Sequence, residues 1–208
     1  MGFRHQWARF LRGPRTLAPT PGVREAWHRG RRWYHVWVLD LDEAAADRRD
    51  QVLAALHEGA EADGGGPLLL PFSVRTPHVT VWVHGFEEDE SGGPRRRPTP
   101  GHPAEGQRFR VGLAGAGSFL SCPFVEVRAP WIDALRAGFS GREERWAAYL
   151  PHLTVARYAA ARPTAELAAR LRPLRRLPRV EVEGWLRHRV VDAWAEDGTL
   201  RDPGELGG

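Results

Sequence analysis

The sequence reads PHVTV at residues 77–81 and PHLTV at residues 151–155, a shared pattern of proline, histidine, aliphatic residue, threonine and valine. Each copy lies in an apolar stretch that is typical of a β-strand. Because alternate residues of a strand point to the same face, each copy places one imidazole beside one hydroxyl, while its aliphatic residues face a core. The copies are 74 residues apart, and we predict two similar lobes that each contribute one histidine to a shared cleft.

The surrounding sequence predicts strands and helices in an order without a regular parallel repeat. Alternating, aromatic and β-branched residues predict strands over 31–42, 76–86, 109–117, 122–130 and 149–158, and two short strands within 179–198. Helices are predicted over 43–62, over about 131–139 and from Pro163 onward. This order is typical of an α+β architecture.

The length of 208 residues suits one domain with extensions, and we place a single bilobal domain at residues 31–202. Residues 1–30 are predicted to be a basic, poorly ordered extension with a short helix over Gln6–Leu11. Residues 87–106 lack an apolar period and are predicted to be a mobile insertion loop. Residues 203–208 are interpreted as a C-terminal tail.

The composition excludes several kinds of chemistry. The chain has no lysine and no asparagine, so all 30 of its basic residues are arginine. Without lysine there is neither a Schiff base nor the lysyl-adenylate intermediate of ATP-dependent nucleic-acid ligases. The single cysteine, Cys122, excludes an internal disulfide and a cysteine-rich zinc site.

Charge and hydropathy bear on partners and location. The formal charge of +4 suits an anionic partner such as RNA or a phosphate ester. No stretch approaches about 18 uninterrupted apolar residues, and the N-terminus lacks the apolar core of a secretory signal. We therefore expect a cytoplasmic protein that does not enter the membrane, and we expect a monomer.

Two histidines that meet across a cleft are the proton-transfer groups that phosphodiester chemistry requires. One imidazole removes a proton from the attacking oxygen and the other donates one to the leaving oxygen. Thr80 and Thr154 can hydrogen-bond non-bridging phosphate oxygens. A lone strand histidine is more often structural, but repetition of the whole pattern favours His78 and His152 as catalytic residues. This chemistry requires no metal and no cofactor.

With its two His-x-Thr motifs, the sequence resembles the 2H phosphoesterase superfamily, and within it the 2′-5′ RNA ligase-like family of RNA 2′,3′-cyclic phosphodiesterases. The resemblance covers residues 32–200. Residues 36–56 resemble the family's opening strand and helix, 109–130 its middle segment with a G-x-G-x-F turn, 151–157 its second motif with a closing arginine, and 180–191 its last strands.

The resemblance implies two α/β lobes whose antiparallel sheets surround a central cleft, with helices outside. It implies hydrolysis of a 2′,3′-cyclic phosphate at an RNA end to a 2′-phosphate, and in some relatives the reverse, ATP-independent 2′-5′ ligation. It adds Arg157 as a phosphate-binding residue, although simple alternation points this side chain away from His152. For hydrolysis we favour His78 as the acid and His152 as the base, and the sequence leaves this order open.

Two other functions stay open. The same chemistry would serve a phosphodiesterase acting on a non-RNA cyclic phosphate or a cyclic nucleotide signal. The fold would also serve a non-catalytic RNA-binding module, although a pure binder has no need of two proton-transfer groups. The N-terminal extension and the 87–106 loop depart from the family pattern, so substrate choice is less determined than the chemistry.

Several further residues are secondary candidates. Phe72 and Trp82 could stack on a base or pack in the core, and His84 could be a third catalytic residue or a rim or core residue. Arg95–Arg97 could contact RNA or form a solvated charge run. Gly112, Gly115 and Gly117 could form a dinucleotide-binding loop or be turn residues. In each pair we favour the structural interpretation.

Overall fold

Most of the predicted strands and helices have a counterpart in the structure, and residues 59–62 of the predicted helix over 43–62 lie outside the described residues. The computed structural model describes residues 2–17, 30–58, 67–71, 76–87, 101–139, 149–192 and 200–203. Within these ranges the helices are α1 (Phe3–Arg12), α2 (Glu43–His57), α3 (Ile132–Ala137) and α4 (Thr164–Leu174). The strands are β1 (Trp33–Leu41), β2 (Leu69–Pro71), β3 (His78–Phe86), β4 (Arg108–Ser118), β5 (Pro123–Arg128), β6 (His152–Thr154), β7 (Ala156–Tyr158), β8 (Val180–Asp192) and β9 (Leu200–Arg201).

Six antiparallel strands close into a barrel-like ring. Their order is β1, β3, β6, β5, β4 and β8, and β8 pairs back with β1. β9 extends the sheet from β8, whereas β2 and β7 form a separate pair. The predicted α+β class and antiparallel pairing are confirmed. One continuous sheet carries both motifs, so strand pairing by itself does not divide the molecule into two lobes.

The main core lies on the face of the sheet that the aliphatic residues of the motifs occupy. Val79 and Leu153 are buried there together with apolar residues of α2 and α4. α2 begins directly after β1, because the Asp42 carboxylate accepts the Ala45 N–H and caps the helix. No helix within the described ranges is long and apolar enough to cross a membrane.

The N-terminal segment packs on this body, where we predicted a poorly ordered extension. The predicted short helix is confirmed in longer form as α1, which buries Phe3, Gln6 and Phe10. Gln6 Nε2 donates a hydrogen bond to the Ser118 carbonyl at 3.0 Å. The prediction is therefore wrong for residues 3–17, because one face of α1 is apolar enough to join the core. Residues 18–29 lie outside the described residues.

One long strand replaces the two short strands that we predicted within 179–198. β8 pairs with β4 over its first half and with β1 from Gly184 to Asp192. Gly184 lies at this crossover, where a Cβ would come within 2.8 Å of the Leu41 side chain. The absence of a side chain therefore lets two partner strands approach the same point. Residues 193–199 lie outside the described residues.

The glycines predicted to be turn residues belong to β4 instead. A Cβ on Gly115 would lie 2.3 Å from the carbonyl oxygen of Arg175, and one on Gly117 would lie 2.7 Å from the Phe124 ring. Both distances are shorter than real Cβ contacts, so these positions are glycine because neighbouring elements approach the strand closely. A strand, rather than a helix N-terminus, also excludes the dinucleotide-binding interpretation.

The end of the predicted mobile loop is a packed turn. The Glu105 N–H donates to the His102 carbonyl at 2.8 Å, and Gly106 adopts a φ of +76°. The His102 ring is buried against Phe139, with ring centroids 4.2 Å apart. The prediction is therefore wrong for residues 101–106, since the His102 ring also packs against Trp37 of β1, with ring centroids 5.9 Å apart. Residues 88–100, which include Arg95–Arg97, lie outside the described residues.

A second histidine cluster lies between β1 and β8, apart from the two motifs. The rings of His35 and His188 stack with centroids 5.0 Å apart, and His35 Nδ1 lies 3.0 Å from His188 Nε2. His35 Nε2 contacts Glu87 Oε1 at 3.1 Å. Burial, together with the charges of His35, His84 and Arg189, lowers the pKa of His188 to about 4.

We expect this cluster to make the fold sensitive to acid. Between pH 6.5 and 4 an unfolded chain protonates His188 while the folded chain does not, so stability falls as the pH falls through that window. Because His188 is partly exposed to solvent, we expect wild type to lose about 1–2 kcal/mol more than His188→Gln between pH 7 and 4. Urea unfolding measures the difference. His57→Gln, at the exposed end of α2, is the control, and an equal loss in all three proteins would contradict the prediction.

Candidate active site

The two motifs lie side by side in the sheet. β3 and β6 are antiparallel, and Val79 is the direct partner of Leu153. In such a pair the flanking residues also face each other, so His78 lies towards Thr154 and Thr80 towards His152. Both aliphatic partners are buried in the core, and the four polar side chains are half-buried on the opposite face. One backbone pairing therefore brings two imidazoles and two hydroxyls together.

The order of strands around this pair is symmetric. A two-fold rotation through the Val79–Leu153 pair exchanges β3 with β6, β1 with β5, and β8 with β4, and the order of the ring is unchanged. The unit β1–α2–β3 thereby corresponds to β5–α3–β6. The rotation exchanges His78 with His152 and Thr80 with Thr154. The repeated sequence pattern is thus matched by a repeat in strand pairing.

Both imidazoles are oriented by a backbone carbonyl two residues earlier in the chain. His78 Nδ1 faces the Thr76 carbonyl oxygen at 3.5 Å, and His152 Nδ1 faces the Leu150 carbonyl oxygen at 2.7 Å. A carbonyl only accepts hydrogen bonds, so the 2.7 Å contact assigns the proton of His152 to Nδ1, and the longer contact at His78 favours the same tautomer. In the neutral form of each ring, Nε2 is then the nitrogen that can take up a proton.

Two groups tie the first motif to the chain segments that precede the second. Tyr149 Oη donates a hydrogen bond to the Thr80 carbonyl at 2.9 Å. Arg136 donates to the Val81 carbonyl, and its guanidinium lies 3.7 Å above the centre of the Tyr149 ring. These bonds compensate for the short β3–β6 pairing, because they satisfy carbonyls that strand pairing leaves open.

A carboxylate lies beside His78 on the neighbouring strand. Asp40 on β1 is the direct partner of His78, and its Oδ2 forms an ion pair with Arg189 on β8. Arg189 also pairs with Asp202. Burial lowers the pKa of His78, while the Thr76 carbonyl and the Asp40 charge raise it and the Arg189 charge lowers it. The loss of water is the largest of these effects, so the neutral imidazole is favoured.

We expect Asp40→Asn to lower the pKa of His78 further. The substitution removes a favourable negative charge and leaves the Arg189 charge less compensated. An NMR titration of the His78 ring protons measures the change directly and does not depend on turnover. Asp202→Asn is the control, because it removes the more exposed carboxylate partner of the same arginine, and of the two carboxylates only Asp40 contributes to the pKa of His78. An unchanged pKa in Asp40→Asn would show that the two side chains are not coupled.

His152 lies in a more aromatic environment. Its ring contacts the rings of Phe119 and Phe124, with centroids 4.8 and 5.6 Å away. Phe124 in turn packs against Phe3 of α1 at 6.0 Å. The aromatic residues around the second motif are therefore linked to the N-terminal helix. α1, which lies in the extension that we predicted to be poorly ordered, supports one half of the candidate site.

A buried carboxylate also accompanies His152. Glu126 on β5 is the direct partner of His152, as Asp40 is of His78 under the two-fold rotation. Its side chain is only 7% exposed and forms ion pairs with Arg128 at 2.6 Å and Arg175 at 3.6 Å. Two arginines on one carboxylate leave this side of the site with a net positive charge.

Arg157 lies beyond a break in the second motif strand. β6 ends at Thr154, and the chain resumes as β7, which pairs with β2 and places Arg157 opposite Leu70. Val155 and Ala156 are consecutive buried residues, so the alternation shifts by one position at the break. Arg157 is consequently half-buried on the side away from the core, as Thr154 is. Simple alternation had pointed the Arg157 side chain away from His152, and the break changes that expectation. The role of Arg157 as a phosphate ligand stays a prediction.

Some of the secondary candidates are packed in the structure, and others lie outside the described residues. Trp82 stacks on Phe139 with ring centroids 5.5 Å apart, which confirms core packing. His84 lies close enough to His188 to lower its pKa, so it belongs to the second histidine cluster. Phe72 lies outside the described residues. Within the described ranges no three potential metal ligands among His, Cys, Asp and Glu are grouped to share an ion.

Asp40 and Glu126 were not predicted to belong to the candidate site. Both stand inside strands whose neighbouring residues are apolar, and a carboxylate at such a position is a signal that could have been used. This signal could not have shown which histidine each carboxylate accompanies, because the assignment depends on the pairing of strands that are distant in sequence. Phe3 carried no signal at all, since its contact with Phe124 joins residues that are far apart in the chain.

Comparisons with known proteins give a likeness in structure alone. No protein-family model matches the sequence, and no curated protein matches it significantly. Among solved structures, the chain is similar to TT0787 of Thermus thermophilus. The two share 21% sequence identity with a TM-score of 0.45, and the match covers 76% of this chain and 87% of that chain.

Proposed function

We propose that this protein is a 2H phosphoesterase that opens 2′,3′-cyclic phosphates at RNA ends to 2′-phosphates. The observation that carries the proposal is the Val79–Leu153 pair, which joins the two His-x-Thr motifs on one face of the sheet. The symmetric strand order supports a description as two lobes, one built on β1–α2–β3 and the other on β5–α3–β6. The site then lies where the two lobes meet.

The proposed reaction adds water across one phosphorus–oxygen bond. One histidine takes a proton from the attacking water at Nε2, while the bond from phosphorus to the 3′-oxygen breaks. The other histidine gives a proton to that oxygen, so the product carries a 2′-phosphate and a 3′-hydroxyl. In the ligation, the 5′-hydroxyl of a second RNA end attacks the 2′,3′-cyclic phosphate in place of water, the bond from phosphorus to the 3′-oxygen breaks, and a 2′-5′ linkage forms.

We assign the acid role to His78 and the base role to His152. A bound phosphodiester brings a negative charge to the site, which raises the pKa of His78 and adds to the effect of Asp40. Beside His152, two arginines share the single Glu126 carboxylate, and we place the base on this more positive side of the site. Thr80, Thr154 and Arg157 bind the non-bridging oxygens, where negative charge accumulates in the transition state.

The deciding experiment is hydrolysis of a short RNA with a 2′,3′-cyclic phosphate end, in the presence of EDTA. We expect wild-type protein to convert it to a 2′-phosphate end and the His78→Ala/His152→Ala variant to leave it intact. Hydrolysis of a panel of non-RNA cyclic phosphates and cyclic nucleotides, but not of the RNA, would favour the alternative of a phosphodiesterase with a non-RNA substrate. If folded wild-type protein converts none of these substrates but binds RNA, the non-catalytic binding module replaces the proposal.

A further inference from the structure

The surface beside His152 carries a run of arginines that the proposed reaction does not use. α1 has the sequence FRHQWARFLR, without an acidic residue. Its buried residues Phe3, Gln6 and Phe10 define one side of the helix. Arg4, Arg9 and Arg12 are exposed on the other side. None of the three has an ion-pair partner among the described residues, so this basic face is uncompensated there.

The basic face begins next to the candidate site. Phe3 contacts Phe124, which contacts His152, and Arg4 is the next residue along the helix. The Arg128 guanidinium lies 4.6 Å from the centre of the Phe3 ring and its side chain is half exposed. Arg128 therefore bridges the space between the strand beside His152 and α1.

The charge around His78 is different. There the carboxylates of Asp40 and Asp202 both pair with Arg189, and Arg187 is the exposed cation on the same strand. Among the described residues of β8 and its carboxylate partners, two carboxylates thus match two arginines. Beside His152, in contrast, Glu126 faces Arg128 and Arg175 and is followed by the three arginines of α1. A polyanion that leaves the site is attracted to the His152 side.

We propose that the nucleotides preceding the terminal cyclic phosphate lie along the basic face of α1, so that the substrate is an RNA strand rather than a mononucleotide. This inference rests on the proposed function, which supplies the terminal phosphate. Arginine contacts to backbone phosphates bind nucleic acid without reading its sequence. The apolar side of α1 is buried against β4 and α4, and the exposed Leu11 alone is too small an apolar surface for a membrane-binding face.

Binding and turnover test the inference separately. Binding is measured by fluorescence anisotropy with a labelled ten-nucleotide RNA ending in a 3′-phosphate. We expect Arg4→Gln/Arg9→Gln to raise the Kd about tenfold and to reduce the slope of log Kd against log salt by about 1.4, at about 0.7 for each lost contact. Arg110→Gln/Arg172→Gln removes the same charge from two exposed arginines of β4 and α4 and is expected to leave RNA binding unchanged.

Turnover is compared on a 2′,3′-cyclic mononucleotide and on the ten-nucleotide RNA with a cyclic end. We expect Arg4→Gln/Arg9→Gln to lower kcat/KM about tenfold for the RNA alone. Equal RNA binding by the two double variants, or an equal loss on both substrates, would overturn the inference. If wild type hydrolyses neither substrate, the proposed function fails, and the anisotropy result still decides whether α1 binds RNA.

Discussion

His78→Ala and His152→Ala are each expected to lower kcat at least about 10²-fold on a cyclic-phosphate RNA end, the usual contribution of a general acid or base. Each imidazole is held by a carbonyl at Nδ1 and keeps Nε2 for proton transfer, and alanine supplies neither group. Because both histidines act in one transition state, the double variant is expected to be little worse than the poorer single variant.

Single-turnover kinetics at several pH values measures these effects and separates chemistry from product release. His84→Ala is the matched control, since His84 lies on the same strand as His78 but belongs to the second histidine cluster. Thr80→Ala and Thr154→Ala should cost less than either histidine variant. Near wild-type rates in both histidine variants would refute the mechanism, whatever the substrate.

Phe124→Ala is expected to have a large effect on stability and to weaken His152 as well. Its ring is 1% exposed and packs against Phe3, Phe119 and His152. Removing a buried phenylalanine ring costs about 3–5 kcal/mol, because the surrounding groups cannot fill the cavity. The loss also frees the His152 ring on one side, so kcat should fall at temperatures where the variant is fully folded.

Phe86→Ala distinguishes the two effects. Phe86 is equally buried on β3, but its ring contacts Tyr34 and the Arg31 guanidinium rather than a motif histidine. Urea unfolding should show a similar loss of stability, whereas kcat should fall in Phe124→Ala alone. Phe124→Leu serves the same purpose if the alanine variant does not fold. A proportional loss of kcat in both phenylalanine variants would show that Phe124 has no specific role at His152.

The surroundings of the two motif histidines differ in whether they include the N-terminal helix. His78 is flanked by Asp40 and Arg189, both of which belong to the ring of strands. His152 is flanked by Phe124 and by Glu126, whose arginine partners also contact α1. Arg128 lies over Phe3, and Arg175 lies over Trp7 at 4.4 Å. The N-terminal helix therefore affects one histidine of the pair more than the other.

The faces of the two motif strands could be predicted from the sequence. Alternation in PHVTV and PHLTV is a local property with a period of two residues, so Val79 and Leu153 were placed in a core and the histidines and threonines opposite them. The break after Thr154 could not be predicted, and residues 149–158 were expected to form one strand. At the break the chain leaves the sheet to pair with β2, and that pairing depends on a segment distant in sequence.

Most strands, the faces of the two motif strands and the chemistry that two histidines and two threonines can perform could be predicted from local sequence. The sequence did not reveal that the motifs meet through a single Val79–Leu153 pair, that Asp40 and Glu126 accompany the histidines, or that Phe3 supports Phe124. The physical reason is the range of the interactions. Side-chain alternation depends on neighbouring residues, whereas strand partners and ion pairs join segments whose separation leaves no periodic signal in the sequence.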